Sequence, residues 1–268
     1  MFIDTHCHPY LAKNKNISEI LENFKKSDWK YLVSIGTNLE TSKKSLGLSQ
    51  KYEFIFATVW IHPSDVLDSK NTIQEDIDNL EKFIIENKEK IVWIWETGLD
   101  YYWVSENPEE LSQQKIKQKQ YFLAHIALAE KYNLPIIIHN RNSWEDILKI
   151  LEQTKFQNFI IHCFSEDLDF AKKCFEISPS AMMSFSGIVT FKNAQEIAHT
   201  AANIPLKNIL IETDSPFLTP VPYRGKQENE PAFTQFVLEK IIELRNESAD
   251  EIEKTILENS QNIYKIKK

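Results

Sequence analysis

Residues 136–141 read Ile136-Ile137-Ile138-His139-Asn140-Arg141, three isoleucines in a row that stop at a histidine. A strand with one face in water alternates apolar and polar residues. A run that is apolar at every position suits a parallel strand buried on both faces. Helical periodicity follows over 142–154, so the local unit is a strand and then a helix. Working outward, the unit recurs. Before it stand Phe2-Ile3, Tyr31 to Ile35, Phe54 to Ile61 and Ile91 to Trp95. After it stand Phe159 to Ile161, Ala181 to Phe185 and Ile209 to Ile211. The other amphipathic stretches lie near 17–27, 39–51, 71–88, 109–133, 166–177, 192–203 and 231–245, with a last helix near 248–266. Eight strands alternating with eight helices predict an α/β fold, a (β/α)8 TIM barrel with residues 1–268 as a single domain. A doubly wound open sheet is the structural rival.

Composition bounds the function. Hydrophobic residues at 42% and charged residues at 26% fit a soluble globular chain with a sizeable core. No apolar run approaches membrane-spanning length, and the amino terminus lacks a basic region followed by an apolar stretch. The expectation is therefore a cytoplasmic protein without membrane association. The three cysteines, Cys7, Cys163 and Cys174, are odd in number and lack Cys-x-x-Cys spacing, which argues against a disulfide framework. A net charge of −8 does not suit a protein that coats nucleic acid. It leaves a nucleic-acid substrate open, because metal ions and a few local cations can hold phosphates. No obligate protein partner is implied.

The polar residues fall at the ends of the apolar runs. His6 and His8 end the first, His62 the third, Glu96 the fourth, His139 the fifth and His162 the sixth, and Asp214 follows the eighth. Five of the seven histidines thus sit at strand C-termini, the end of a TIM barrel that carries the active site. Each alone has a plain structural explanation, such as a hydrogen-bonded histidine or a turn aspartate before proline. Together, His6, His8, Glu96, His139, His162 and Asp214 supply four imidazoles and two carboxylates as metal ligands. That set suits two divalent ions about 3.5–4 Å apart with a carboxylate bridge. Glu96 is the expected bridge, and Asp214 can both bind an ion and accept a proton from the attacking water, so these two are the expected catalytic residues. Nitrogen-plus-oxygen coordination fits Mg²⁺, Mn²⁺ or Zn²⁺ alike. Arg141, two residues beyond His139, and Arg224 and Lys226, beyond the eighth strand, are candidate phosphate contacts. Tyr101, Trp103 and Trp144 could stack on bases near the mouth, with packing between loops the plainer reading.

These motifs also occur in a fixed order: Ile3-Asp4-Thr5-His6-Cys7-His8, Ile61-His62-Pro63, Glu96-Thr97-Gly98-Leu99-Asp100-Tyr101, Ile138-His139-Asn140-Arg141, His162-Cys163-Phe164-Ser165, Ser184-Phe185-Ser186-Gly187, Glu212-Thr213-Asp214-Ser215-Pro216 and Arg224-Gly225-Lys226. In this series the chain resembles the TatD family of metal-dependent deoxyribonucleases, amidohydrolase-like TIM barrels, over essentially its whole length. The resemblance implies a divalent-metal hydrolase that removes nucleotides from the 3′ end of single-stranded or damaged DNA. It carries the ligand role to His6, His8, Glu96, His139, His162 and Asp214, and phosphate binding to His62 and Arg141. RNA is a further possible substrate. Other readings of the same ligands are ester or amide hydrolysis, such as removal of a misattached D-amino acid from tRNA, and a metal-binding relative with weak turnover. Many barrel hydrolases of this kind bridge their metals with a carbamylated lysine on strand four, yet no lysine lies between Ile91 and Trp103.

The chain departs from the family pattern at Trp29, Trp60, Trp95 and Glu166, where glycine is usual, and in a loop after Arg224 that is one residue longer. By the period of 2, Trp93 and Trp95 point away from the barrel axis if Glu96 points in, while Trp60 shares a face with His62. Overpacking beneath a site typically costs about 1–3 kcal/mol. Glycine and tryptophan codons can differ by one base, so a decoding difference would account for these tryptophans. A native-protein mass matching tryptophan at 29, 60 and 95 rules that out.

Overall fold

The computed structural model describes residues 2–27, 29–59, 61–87 and 96–266, and the backbone at 91–94. The expectations for Trp60, Trp93 and Trp95 concern side chains outside this set. Strands run β1 (Ile3–Cys7), β2 (Tyr31–Ser34), β3 (Ile55–Val59), β4 (Ile91–Ile94) and β5 (Glu96–Asp100). They continue with β6 (Ile136–Arg141), β7 (Phe159–Ile161), β8 (Met182–Phe185) and β9 (Ile209–Ile211). The order is β1-β2-β3-β4 and β5-β6-β7-β8-β9, every pairing parallel. β4 and β5 flank position 95 and together take the fourth place of eight, and β4 also contacts β6. The last strand meets the first: Cys7 bridges Ser215 in parallel, and the His8 amide donates to the Ser215 carbonyl at 2.7 Å. The molecule is a TIM barrel. No described helix is long and apolar enough to cross a membrane.

The helices begin where a side chain can accept a free first-turn amide. Asn16 caps Ile17–Lys26, Asn107 with Pro108 starts Pro108–Tyr132, Asp167 caps Leu168–Ile177, and Ser248 caps Ala249–Ile263. The strands sort their side chains by parity. Ile3, Val33, Ile137, Ile160, Met182 and Leu210 meet in one inner cluster, joined by the C-terminal Tyr264 and Ile266. Their neighbours Leu32, Ile136, Ile138, Phe159, Ile161 and Ile209 pack outward against the helices. Trp29 is absorbed in that outer layer, its ring centroid 4.9 Å from that of Phe2.

Two strands differ from expectation. The fourth does not end at Glu96 but runs on to Asp100, and the fifth does not end at His139 but runs on to Arg141. Their backbones pair from Glu96 with Ile137 through to Asp100 with Arg141. A ladder is made of amides and carbonyls, so a polar side chain on the axial face does not interrupt it. In β1 the pairing with β2 slips between Asp4 and Cys7, three residues against the two from Leu32 to Ser34. One extra residue inverts the parity of the positions beyond it. Ile3 faces the axis, Cys7 faces the helices, and His6 and His8 therefore face the axis.

Candidate metal centre

Parity and closure bring the polar residues to one end of the barrel. His139 shares its face with Ile137, His162 with Ile160, and Glu212 and Asp214 continue the face of Leu210. Glu96 lies at their centre, buried, with its two oxygens turned to different histidines. Oε2 stands 3.5 Å from His6 Nε2 and 3.9 Å from His8 Nε2. Oε1 stands 2.9 Å from His162 Nε2, 3.3 Å from His139 Nδ1 and 3.7 Å from His62 Nε2. Asp214 Oδ1 completes the first group, 3.4 Å from His8 Nε2 and 3.7 Å from His6 Nε2.

The spacing fits cations. Ligand atoms about 2.1 Å from one ion lie roughly 3.0–3.4 Å from one another at tetrahedral or octahedral angles. His139 Nδ1, His162 Nε2 and Glu96 Oε1 lie close to this window, 2.9–3.3 Å from one another. His6 and His8 bring their Nε2 atoms to 3.2 Å, while the carboxylate oxygens of their group stand wider, at 3.4–3.9 Å. Oε2 of Glu96 is buried and accepts no hydrogen bond from the described residues. A lone pair aimed at other lone pairs is costly unless a cation lies between them. The donors present therefore suit bound divalent ions, one group being His6, His8, Glu96 and Asp214 and the other Glu96, His139 and His162.

Charge follows the same logic. Burial would raise the Glu96 carboxyl, but His162, His6 and His139 outweigh it and hold it well below the usual carboxylate range. Asp214 is likewise held low, with His8 and His6 overcoming burial. Burial would lower His162, but Glu96 and Glu212 lift it well above the usual range, and carboxylates also raise His8 and His139. His62 goes the other way: burial and the neighbouring His139 push it down to about 3, so its ring is neutral.

Two carboxylates near these histidines carried no role in the sequence reading. Asp100 Oδ2 lies 3.2 Å from His139 Nε2, leaving Nδ1 to face Glu96. Glu212 Oε1 lies 3.5 Å from His162 Nδ1 and accepts the Cys163 amide at 2.7 Å. Carboxylates in this position fix the tautomer and aim of a ligating imidazole. Their spacing was the available signal: Asp100 is four residues after Glu96 and Glu212 two before Asp214, each on the same strand face. His8 is oriented instead through Nδ1, 3.0 Å from the Ile35 carbonyl.

The centre floors a cavity of about 700 Å³ lined by His62, Asp100, Arg141 and Trp103, among others. Arg141 is not on a loop but ends β6, its guanidinium 3.8 Å from the Tyr102 ring centre. Arg224 and Lys226 do not line this cavity. Arg224 stacks on Phe191 at 3.5 Å, and Lys226 borders a separate depression with Asn14, Lys15, Glu19 and Glu228. The loop turns away after the eighth strand, which a count of residues along the chain could not show. The aromatics also separate. The Tyr101 hydroxyl donates to Asp146 at 2.8 Å and Trp144 packs on Phe170, whereas Trp103 is exposed at the cavity wall. Glu166 accepts a hydrogen bond from Asn140 at 3.0 Å.

A TIM barrel with a histidine–carboxylate cluster at the C-terminal ends of its strands defines the class. Residues 3–265 match the family described as TatD related DNase, and the chain belongs to that family. It is 36% identical to the uncharacterised metal-dependent hydrolase YabD of Bacillus subtilis, over 99% of this chain and 100% of that protein. It is 32% identical to the uncharacterised metal-dependent hydrolase YcfH of Escherichia coli K12, over 98% of this chain and 96% of that one. The crystal structure of YJJV, a TatD homologue from E. coli K12, superposes with a TM-score of 0.87 at 24% identity, covering 99% and 98% of the two chains.

Proposed function

We propose that this chain, with residues 1–268 as one barrel domain, is a metal-dependent phosphodiesterase that shortens single-stranded or damaged DNA from its 3′ end. The observation that carries the reading is the carboxylate of Glu96, whose oxygens face two separate groups of histidines. Family membership and the metal-dependent hydrolases among its relatives support it. When bound, two divalent ions supply an activated water and neutralise charge that develops on the phosphoryl oxygens. Mg²⁺, Mn²⁺ and Zn²⁺ all match the donors.

The chain's own residues do the rest. Glu96 bridges the two groups, with His6, His8 and Asp214 on one side and His139 and His162 on the other. Asp214 is held ionised by His8 and His6, so it can take the proton of the attacking water at neutral pH. Neutral His62 and the guanidinium of Arg141, both on the cavity wall, orient the phosphate as the attack proceeds. Asp100 and Glu212 hold His139 and His162 in register.

The test uses 5′-labelled single-stranded DNA with purified protein and Mg²⁺ or Mn²⁺. Stepwise loss of 3′ nucleotides is expected, and His139→Ala should lower it by at least about 100-fold. Shortening that persists unchanged in that variant, or no shortening at all, removes the nuclease assignment. Release of the amino acid from aminoacyl-tRNA instead would assign the centre to ester hydrolysis.

A further inference from the structure

The cavity wall above the metal centre carries two large apolar side chains that the fold leaves bare. Trp103 is 64% exposed and Phe217 is 53% exposed, and both line the cavity that contains Glu96. A solitary exposed aromatic needs no explanation. These two stand over one polar centre. Trp103 follows the fourth barrel strand and Phe217 the eighth, so strand order in a closed barrel of eight puts them on opposite sides of the mouth.

Each is held in place by a neighbour of the centre. The Tyr102 amide donates at 2.9 Å to Asp100, the carboxylate beside His139. Tyr102 meets Trp103 edge-on, with ring centres 4.7 Å apart and planes at 88°, and the Arg141 guanidinium lies 3.8 Å from the Tyr102 ring centre. Opposite, the Phe217 amide donates to the Asp214 carbonyl at 3.0 Å, and the Phe217 ring stands edge-on to His8 at 6.4 Å. Flat, rigid faces placed this way suit the π-faces of nucleobases, which every base offers whatever its sequence. Within a duplex those faces are covered by the neighbouring pairs, so two successive bases can be gripped separately only once they are unpaired.

We infer that Trp103 and Phe217 are two stacking platforms that grip the unpaired bases on either side of the scissile phosphodiester at the 3′ end of a DNA strand. The inference rests on the nuclease reading above and names the part of the substrate that its cavity grips. Arg141, braced on Tyr102, then meets the phosphate between the two bases. The platforms are sequence-tolerant and demand that a duplex end fray before it is cut.

The experiment compares two 5′-labelled single strands, one natural and one whose two 3′-terminal nucleotides are abasic. Stacking on an aromatic side chain is worth roughly 5–150-fold per base. The wild-type protein with Mg²⁺ is expected to prefer the natural end by at least about 10-fold in kcat/KM, mostly through KM. The preference should fall by one base's share in Trp103→Ala and in Phe217→Ala, collapse toward one in the double variant, and return in Trp103→Tyr, which also controls for misfolding. Fluorescence anisotropy of the same strands in EDTA should show the same order of affinities. Shortening of both strands at equal rates, or a preference undiminished in both single alanine variants and in the double one, overturns the platforms and leaves the nuclease reading intact. If neither strand is shortened, the nuclease reading falls and the platforms are decided by the affinity ratio alone.

Discussion

Glu96 shows what a single side chain does at this centre. Its oxygens are 2.9 Å from His162 Nε2 and 3.5 Å from His6 Nε2, so one carboxylate connects both histidine groups. Glu96→Gln keeps the shape and replaces one oxygen with a nitrogen donor. We expect it to release at least one ion per chain, read by metal analysis of the dialysed protein, and to lower hydrolysis by more than about 100-fold. Unchanged metal content would remove Glu96 as the bridge. Protons report on the same residues. His8, His139 and His162 are raised above their ordinary values by the carboxylates around them. The stability these pairs lend the metal-free chain is fully present below about pH 6.5 and is lost as pH rises through the folded values. An ion needs the deprotonated nitrogens, so its affinity should rise over the same window. Calorimetry of Mn²⁺ binding in two buffers of different ionisation enthalpy should show net proton release near pH 7, and zero release would contradict this charge assignment. The sequence already pointed to Glu96 and its histidines, because metal-ligating residue types recur at the ends of apolar runs. It did not mark Asp100 or Glu212: their even spacing from Glu96 and Asp214 put them on the right faces, but the nitrogen that each orients is set by the neighbouring strand.

Among the elements, β5 and β6 carry most of the precision. They pair without slippage from Glu96–Ile137 to Asp100–Arg141, which sets the height of Glu96 against that of His139. Gly98 makes this close approach possible. Its φ is +132°, and a Cβ there would stand 2.1 Å from the His139 carbonyl oxygen. Gly98→Ala must therefore move the backbone that carries His139, a candidate metal ligand. We expect a loss of at least about 2 kcal/mol in denaturant unfolding, with activity falling further than stability alone accounts for. A variant as stable and active as the parent would show that the two strands can part without consequence. Runs of apolar residues located these strands, but their ends were misplaced. Glu96 to Asp100 and His139 to Arg141 look like loop by polarity, whereas the ladder continues because backbone pairing does not depend on side-chain type.

In the whole molecule, barrel closure turns residues distant in sequence into one site. Asp214 reaches His8 only because the last strand returns to the first, where the Asp214 amide donates to the His6 carbonyl at 2.9 Å. A centre assembled from so many strands links metal to global stability, since the unfolded chain cannot bind in the same way. At a free ion concentration of 100 times Kd, each site adds about 2.7 kcal/mol, which predicts a rise in Tm of roughly 5–10 °C on loading and its loss with EDTA. The rise should be larger at pH 8 than at pH 6, and scanning calorimetry at the two values checks both size and sign. What the sequence determined by itself was the barrel and the residue types at its mouth, because burial on both strand faces and the placing of ligand side chains are written locally. The tertiary structure alone decided the rest. The extra residue between Asp4 and Cys7 inverts the parity of β1, so His6 and His8 face the axis and not the helices. The return of the chain after β9 carries Arg224 and Lys226 away from the cavity, and packing claims Tyr101 and Trp144 while leaving Trp103 bare. A period of 2 cannot foresee its own interruption, and no local pattern records which groups closure brings within a few ångströms of one another.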